Sequence, residues 1–192
     1  MGRELVIAGR RIADDEPCYC IAELGHNHGG SLETARQMIR AASEAGASAV
    51  KLQKRENASL YAPALLNAPY ENENSYGSTY GEHREALEFG AEQYAAIKAS
   101  ATLHRVTWFA TAFDEQSVDF LMSMGAPAIK IASGGLTDHA LLRYAASFDA
   151  PILLSTGGGT LIDIQRAVDS LGDCPRAFLH CTASYPLRPA EA

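Results

Sequence analysis

A chain of 192 residues, 47% of them hydrophobic, can bury a sizeable core and is expected to form one domain or part of one. Its formal net charge of -7 argues against nucleic-acid binding, because polyanion recognition needs an excess of Lys and Arg on one face. No apolar run reaches membrane-spanning length and no basic-then-apolar leader opens the chain, so we expect a cytoplasmic protein without membrane contacts.

The four cysteines indicate free thiols. Cys18, Cys20, Cys174 and Cys181 lie on predicted strands or beside them. They do not include a Cys-x-x-Cys pair, which is typical of metal sites. We therefore expect reduced thiols that are buried in the core.

The first predicted elements are a hairpin and a strand that ends in polar residues. Residues 4–12 alternate in polarity around a glycine and predict a short hairpin. A strand over residues 18–23 is followed by a polar loop rich in Gly and His, after which Ser31 caps a helix that ends at Gly46. This order is typical of a βα unit, whose polar tip faces the ligand.

Residues 47–54 predict a second strand, in which Lys51 and Gln53 face one side and apolar residues face the other. A lysine inside a buried strand costs free energy unless a counter-charge lies nearby. The alternative is an edge strand whose Lys51, Gln53 and Lys54 are solvated. We favour the buried strand, because strands in a βα alternation are usually covered on both faces.

The periodicity fails between residues 55 and 90. This stretch is polar and rich in turn formers, and its length exceeds that of an ordinary loop. We predict a structureless lid or binding loop, with disorder as the competing interpretation. Four tyrosines argue against disorder, namely Tyr61, Tyr70, Tyr76 and Tyr80.

The alternation of helices and strands resumes after residue 90. Helical stripes are predicted over residues 91–104 and 138–147 and after Thr160, which with Asp163 resembles a capping box. Asp114 is predicted to cap a further helix. The remaining predicted strands cover residues 106–111, 128–132, 151–155 and 177–181.

Six strands that alternate with helices indicate a parallel α/β protein. Polar residues at successive strand tips favour a (β/α)8 TIM-type barrel, and the missing Gly-x-Gly-x-x-Gly after the first strand weakens the doubly wound alternative. Because such a barrel has eight strands, we expect about six of its eight βα units in this chain.

The polar residues at the strand tips form the candidate site. They are Glu23, Lys51, Gln53, Thr111, Phe113, Lys130, Ser133, Ser155, Thr156, Thr182 and Tyr185. In a barrel these positions converge on one face, so that two lysines and several hydroxyls surround a common space. Such a set suits a small multiply charged anion, for example a phosphate-carboxylate.

Lys130 is the sharper of the two cationic candidates. It lies in the middle of an apolar strand, where a surface role is hard to explain. A Schiff-base lysine, as in barrel aldolases, stays open as an alternative. The Ser-Thr-Gly-Gly-Gly run over residues 155–159 is a weak signal for a phosphate cradle made of backbone N–H groups.

Seven motifs, in chain order, resemble the sialic acid synthase (N-acetylneuraminate synthase) family. They read Ile-Ala-Glu-Leu-Gly-His-Asn-His-Gly-Gly, Val-Lys-Leu-Gln-Lys, Tyr-Gly-Glu-His-Arg, Ala-Thr-Ala-Phe-Asp, Ile-Lys-Ile-Ala-Ser-Gly, Leu-Ser-Thr-Gly and Leu-His-Cys-Thr-Ala-Ser-Tyr-Pro. The likeness extends over nearly the whole chain, and the ordered set is far more specific than any one motif. Residues 1–192 would then be the N-terminal part of a phosphoenolpyruvate-condensing TIM barrel, without strands seven and eight and without the C-terminal antifreeze-like domain.

The resemblance implies a transferase that condenses phosphoenolpyruvate with an N-acetylated aminosugar, such as N-acetylmannosamine, to a nine-carbon 2-keto sugar acid and phosphate. It also implies a homodimer and a divalent metal, Mn²⁺ or Mg²⁺, whose histidine ligands lie beyond the end of this chain. We therefore expect no metal ligand among the present residues and no turnover by the 192-residue chain alone. His28 is expected to orient the first loop or the bound substrate, and His180 is expected to be a hydrogen-bonded core residue.

The resemblance also assigns site residues. Glu23, Lys51 and Lys130 are the catalytic candidates. Thr111, Ser133 and Ser155, together with the two lysines, match positions that bind phosphoenolpyruvate. Near the sugar, by the same resemblance, lie Gln53, Phe113, Tyr185 and, less securely, Asn74, together with Glu23.

Two positions depart from the family pattern. Gly135 stands where family members carry an acid that is proposed to handle the attacking water, and Ala183 stands where some carry Asn. Two hypotheses follow: a synthase, or a non-catalytic relative that binds a phosphorylated or sugar ligand. Another phosphoenolpyruvate-condensing barrel, such as a deoxy-heptulosonate phosphate synthase, is less favoured because no extra Arg and Lys cluster for a second phosphate is apparent.

Overall fold

A computed structural model describes residues 3–184, 186–188 and 190. The chain divides into two compact units. The continuous unit runs from Pro17 to Ala126, and the split unit combines residues 3–16 with the described residues from Pro127 onward. Each unit contains three parallel strands that alternate with helices, which confirms the α/β class.

The chain begins with the predicted hairpin. Strands β1 (Glu4–Ile7) and β2 (Arg10–Ala13) pair antiparallel. Gly9 lies in the turn between them with a φ of 77°, a left-handed conformation that glycine adopts without steric cost. In β1, Leu5 and Ile7 are buried while Glu4 and Val6 are exposed, so the hairpin buries one face.

The continuous unit is built on the parallel strands β3, β4 and β5, with β4 in the middle. Its elements are β3 (Ile21–Gly25), α1 (Leu32–Glu44), β4 (Ala49–Lys54), α2 (Asn57–Leu60), α3 (Pro63–Leu66), α4 (Tyr80–Leu87), α5 (Ala91–Leu103), β5 (Thr107–Ala112) and α6 (Glu115–Ser123). The central position of β4 excludes the edge-strand interpretation of Lys51 and Lys54.

Helices α1, α5 and α6 begin where the sequence predicts. The Ser31 hydroxyl accepts a hydrogen bond from the Thr34 N–H at the start of α1. At the start of α6, the Asp114 carboxylate accepts a hydrogen bond from the Ser117 N–H. Ala35 and Ile39, one turn apart, are fully buried, because an amphipathic helix turns one stripe toward the sheet.

The segment between β4 and α5 is not structureless, so that part of the prediction was wrong, while its role as a lid or binding loop stays a prediction. It contains α2, α3 and α4, and α4 begins with a capping box between Thr79 and Glu82. Tyrosines pack against one another within the segment, since Tyr61 and Tyr70 both lie edge-on against Tyr80. These helices are short and half of their residues are exposed, so they leave no regular hydrophobic stripe in the sequence.

The split unit holds the other three parallel strands, with β7 between β6 and β8. Its elements after the hairpin are β6 (Ile129–Ile131), a 3₁₀ turn (Ser133–Gly135), α7 (His139–Ala146), β7 (Ile152–Ser155), α8 (Leu161–Leu171) and β8 (Arg176–Leu179). The predicted capping box of Thr160 with Asp163 starts α8. Each of these three strands lies within two residues of its predicted boundaries.

Two predictions about buried side chains were wrong. All four cysteines are free thiols, as expected, but Cys18 and Cys20 are exposed, because they precede β3 instead of lying inside it. His180 is likewise exposed, because β8 ends one residue before it. Within the part of the chain that the structure describes, no helix is both long and apolar enough to cross a bilayer.

Candidate functional site

Lys51 occupies the middle of the central strand of the continuous unit. In the parallel register it stands beside Glu23 of β3 and Phe109 of β5. Its side chain is 11% exposed, so the ammonium group is largely withdrawn from water. Burial of this kind requires compensating partners.

Two groups on the neighbouring strands supply that compensation. Lys51 Nζ lies 2.5 Å from Glu23 Oε2 and donates a hydrogen bond of 2.7 Å to Thr111 Oγ1. Burial still lowers the pKa of Lys51 below that of a free lysine, although the Glu23 carboxylate opposes this shift. The Glu23 side chain is 48% exposed, so the pair is open to a ligand from the carboxylate side.

Gln53 and Phe113, two of the predicted sugar-side residues, both contact Arg55. The guanidinium donates from Nη2 to Gln53 Oε1 at 2.8 Å, and its Cζ lies 3.8 Å from the centre of the Phe113 ring. Arg55 is buried, and this burial lowers its pKa. Gln53 and Phe113 are therefore held in place by a cation that follows β4 directly.

Glu88 is the buried counter-charge for this region. One of its oxygens, Oε2, lies 3.4 Å from Lys54 Nζ and accepts a hydrogen bond of 3.2 Å from the Arg55 backbone N–H. The other, Oε1, lies 3.7 Å from Arg55 Nη1 and 3.4 Å from His26 Nε2. Burial acts to raise the pKa of Glu88, but His26, Lys54 and the Arg55 N–H outweigh it and leave the pKa below the ordinary value.

The loop after β3 carries two histidines with different surroundings. The His28 ring stacks on Phe89 with 4.1 Å between ring centres, and its Nδ1 accepts a hydrogen bond from the Gly30 N–H. Burial lowers the pKa of His28 to about 4, so this ring is neutral at physiological pH. This geometry supports the predicted role of His28 in fixing the loop.

In the split unit, Lys130 is buried on β6 and donates to the Ile131 carbonyl at 2.6 Å. The register pairs Lys130 with Leu153 of β7, and side chains two apart on a strand share a face, so Ser155 lies on the Lys130 side. Ser155 is also buried. Whether Lys130 and Lys51 surround one common space, as the sequence predicts, stays a prediction.

The glycine-rich run after β7 is occupied by protein contacts. The Gly157 N–H donates to Ser133 Oγ at 3.0 Å, and the Thr156 N–H donates to the Leu179 carbonyl. A side chain at Gly157 would come within 3.0 Å of Ser133 Oγ, so the close approach of these two loops requires glycine. The run therefore orders Ser133, and its N–H groups at Thr156 and Gly157 are not available to a phosphate.

The remaining candidates are less informative. Asn74 lies on an exposed turn, where its N–H donates to Asn72 Oδ1. Tyr185 lies outside the described residues. The described residues contain no cluster of three or more His, Cys, Asp or Glu side chains that could hold a metal ion. The described residues alone therefore do not fit a metal centre.

Sequence reasoning missed Arg55, Glu88 and His26 as one group. In the sequence Arg55 marks only the start of an irregular segment, although it follows the lysine-rich end of β4 directly. Glu88 lies 33 residues further along the chain and His26 29 residues before Arg55. No local sequence pattern links positions so far apart. The charge of Arg55 at a strand tip was the sequence feature that could have pointed to this group.

Comparison with known families gives one match, to the NeuB family, over residues 38–192. The chain is 36% identical over 189 residues to N-acetylneuraminate-9-phosphate synthase of Drosophila melanogaster, covering 97% of this chain and 50% of that protein. It is 37% identical over 178 residues to N,N'-diacetyllegionaminic acid synthase of Legionella pneumophila, covering 88% of this chain and 50% of that protein.

A solved structure extends the similarity to the fold. The N-acetylneuraminic acid (sialic acid) synthetase of Leptospira borgpetersenii superimposes with a TM-score of 0.82 at 30% identity. The match covers 100% of this chain and 64% of that one. The chain spans about half the length of the curated relatives it matches.

Proposed function

The chain belongs to the NeuB family, and we propose that the protein condenses phosphoenolpyruvate with an N-acetylated aminosugar, N-acetylmannosamine or a related compound. The products would be a nine-carbon 2-keto sugar acid and phosphate. The relatives named above are synthases of acidic sugars, which supports this class of reaction. Which aminosugar is used is left open by the proposal.

The observation that carries the proposal is the setting of Lys51. Its ammonium group is buried between Glu23 and Thr111, and the carboxylate partner is half exposed. A ligand with a phosphate or carboxylate group can replace part of the lost hydration of Lys51 and form a charge-assisted hydrogen bond. The pKa of Lys51 is lowered mainly by burial, and an incoming anion would oppose that effect.

We assign the residues to two substrates. Lys51, Thr111, Lys130, Ser133 and Ser155 bind phosphoenolpyruvate, with the lysines as catalytic cations. The residues assigned to the sugar are Glu23, Gln53, Asn74, Phe113 and Tyr185. Glu23 is the third catalytic candidate, because its Oε2 holds Lys51 while the side chain stays accessible to the sugar.

The proposed reaction forms one carbon–carbon bond. C3 of phosphoenolpyruvate attacks the open-chain aldehyde of the sugar, whose oxygen takes up a proton and becomes a hydroxyl. Water adds at C2 and gives up a proton, and the tetrahedral intermediate then loses phosphate through cleavage of the C–O bond. The buried lysines stabilise the negative charge of the phosphate and carboxylate throughout.

Four broader features belong to the same proposal. The two units would form the N-terminal part of a (β/α)8 barrel, in a cytoplasmic homodimer. A divalent metal, Mn²⁺ or Mg²⁺, would polarise the aldehyde when bound. Its ligands are expected outside these 192 residues.

The proposal is tested by phosphate release from phosphoenolpyruvate with N-acetylmannosamine and Mn²⁺, with the protein at its natural length. Release must depend on both substrates and yield a 2-keto sugar acid in equal amount. The 192-residue chain alone is expected not to turn over. Phosphate release without sugar, or no release with any N-acetylated aminosugar, would contradict the synthase proposal.

Gly135 favours a second candidate, a non-catalytic relative that binds a phosphorylated or sugar ligand. A Cβ at this position would lie 2.7 Å from Ile131 Cγ2, so a carboxylate cannot be added without moving a buried side chain. Gly134 has open space around it and provides the matched control. If Gly135→Glu creates turnover that the parent and Gly134→Glu lack, the natural protein is the binding relative.

A further inference from the structure

The Glu88 carboxylate holds the cations that surround the end of β4. Its side chain is 7% exposed, and it faces Lys54, Arg55 and His26. Three elements meet here, since Lys54 ends β4, His26 follows β3 and Glu88 follows α4. A buried carboxylate beside the two cations Lys54 and Arg55 fixes their positions, because a cation left unpaired in the interior would carry a large desolvation cost.

Arg55 passes this constraint on to Gln53. A guanidinium has only donors, so the Gln53 atom that faces Arg55 Nη2 at 2.8 Å must be the amide oxygen. Arg55 Nη1 lies 3.3 Å from His26 Nε2, and the guanidinium plane is covered by Phe113. The guanidinium is therefore held from three directions, and the Gln53 amide cannot turn over without losing a charge-assisted hydrogen bond.

The consequence appears at Gly25, the last residue of β3. A Cβ built on Gly25 would lie 3.4 Å from Gln53 Nε2 and 3.3 Å from Glu23 Oε1. The amide NH₂ of Gln53 and the carboxylate oxygen of Glu23 that does not hold Lys51 therefore flank the same space, which only glycine leaves open. The site presents one donor and one acceptor there, in an order fixed by Arg55.

The hydrogen bond to His26 fits this arrangement. Because a guanidinium can only donate, His26 Nε2 is the acceptor in its contact with Arg55. Glu88 Oε1 lies 3.4 Å from the same His26 nitrogen and 3.7 Å from Arg55 Nη1, so its contact with the guanidinium is an ion pair and not a short hydrogen bond. Glu88 thus acts on Arg55 by charge and on the Arg55 backbone by a hydrogen bond.

We propose that Glu88 is a positioning residue: through Arg55 it fixes the Gln53 amide with its NH₂ group toward the substrate. Where the inference concerns the sugar, it rests on the proposed function. Glu88 does not touch the substrate, and its loss lets the Gln53 amide reorient and present its oxygen. With the Gln53 amide oxygen beside Glu23 Oε1, the site presents two hydrogen-bond acceptors. The substrate group would then find no donor where the parent protein offers the Gln53 NH₂ group.

The test compares Glu88→Gln with Glu92→Gln, an exposed glutamate four residues further on. For Glu88→Gln we expect the Michaelis constant of the aminosugar to rise about tenfold while that of phosphoenolpyruvate stays within about twofold. Glu92→Gln should change neither. In a Gln53→Ala background, Glu88→Gln should add little, because both substitutions remove the same interaction.

A second readout does not depend on turnover. The side-chain amide resonances of Gln53 in a ¹H–¹⁵N spectrum should move in Glu88→Gln and in Arg55→Lys, which keeps the charge but cannot bridge Gln53 and His26, and should stay in place in Glu92→Gln. Unchanged resonances in either variant at Glu88 or Arg55 overturn the inference. If Glu88→Gln does not fold, Arg55→Lys decides. A parent protein without synthase activity refutes the proposed function and leaves this readout valid.

Discussion

Strand β4 carries two lysine–glutamate pairs on opposite faces, and they differ in how far water reaches the carboxylate. Lys51 and Lys54 are equally withdrawn, each with an 11% exposed side chain. Glu23, the partner of Lys51, is 48% exposed, whereas Glu88, the partner of Lys54, is 7% exposed. The same pair of residue types therefore forms an open site on one face and a closed structural contact on the other.

The partners follow the same division. Lys51 also binds the Thr111 hydroxyl, which a ligand anion can supplement or replace. Lys54 donates to the Arg55 carbonyl and lies 5.1 Å from the centre of the Phe120 ring, in a space filled by the protein itself. We conclude that substitution of Lys51 should act on activity and substitution of Lys54 on stability, whereas Glu88 also acts on Gln53 through Arg55.

The largest expected effect is that of Lys51→Met on catalysis. Loss of the ammonium group should reduce kcat/KM about a thousandfold, because a fixed charge at the substrate anion is removed. The free energy of unfolding should change by less than about 1 kcal/mol, since the remaining Glu23 carboxylate is half exposed and can be hydrated. Steady-state kinetics and urea unfolding on the same preparation check both parts.

Lys54→Met should show the reverse pattern. It leaves Glu88 buried with one cation fewer, and we expect the free energy of unfolding to fall by about 2 to 3 kcal/mol. The value lies below that for an isolated buried pair because Arg55 still faces Glu88. A Lys54→Met protein that unfolds like the parent but has lost its activity would contradict the division between the two faces.

His28 is a third buried titratable group near Glu88, and burial lowers its pKa to about 4. The unfolded state takes up a proton near pH 6.5, but the folded state does not until about pH 4. The free energy of unfolding should therefore fall by about 2 kcal/mol between pH 7 and pH 4.5 from this residue alone. His26 opposes protonation of the ring and Glu88 favours it.

Urea unfolding at the two pH values, for the parent and for His28→Phe, measures this contribution. The phenylalanine ring keeps the stack on Phe89 but cannot titrate, so the variant should be less sensitive to acid by the stated amount. An identical acid dependence in both proteins would show that His28 is protonated in the folded state already.

Thr111→Val tests the open face with the smallest expected effect. The substitution preserves shape and removes the hydroxyl that accepts from Lys51. We expect the Michaelis constant for phosphoenolpyruvate to rise about tenfold, because the Lys51 ammonium group loses one of the two side chains that hold it in position. The Michaelis constant for the sugar, measured at saturating phosphoenolpyruvate, should be unchanged. A larger effect on the sugar constant than on the phosphoenolpyruvate constant would contradict the assignment of Thr111 to phosphoenolpyruvate.

The sequence is sufficient to predict the elements whose signals are local. Ser31, Asp114 and Thr160 are recognisable as caps because the capping interaction spans only three residues. Lys51 is recognisable because a cation in an apolar strand is unusual. The buried setting of Lys51 could therefore be predicted from the strand pattern, while its role in a substrate site stays a prediction.

The closed contact could not be predicted in the same way. Glu88 and Arg55 are brought together by the short helices between β4 and α5, whose weak amphipathic pattern resembles a structureless loop. Lys54 enters the sequence-based prediction only as a solvated residue of an edge strand. A buried pair of charges depends on tertiary packing, and neither partner carries a local sequence signal.

Binding of phosphoenolpyruvate alone, measured by titration calorimetry at fixed pH and ionic strength, tests the central claim most directly. With the protein at its natural length, Lys51→Met should bind phosphoenolpyruvate about a hundredfold more weakly than the parent, and Lys54→Met should bind it within about twofold of the parent. Equal affinity of the parent and Lys51→Met would contradict the assignment of Lys51 to the substrate anion.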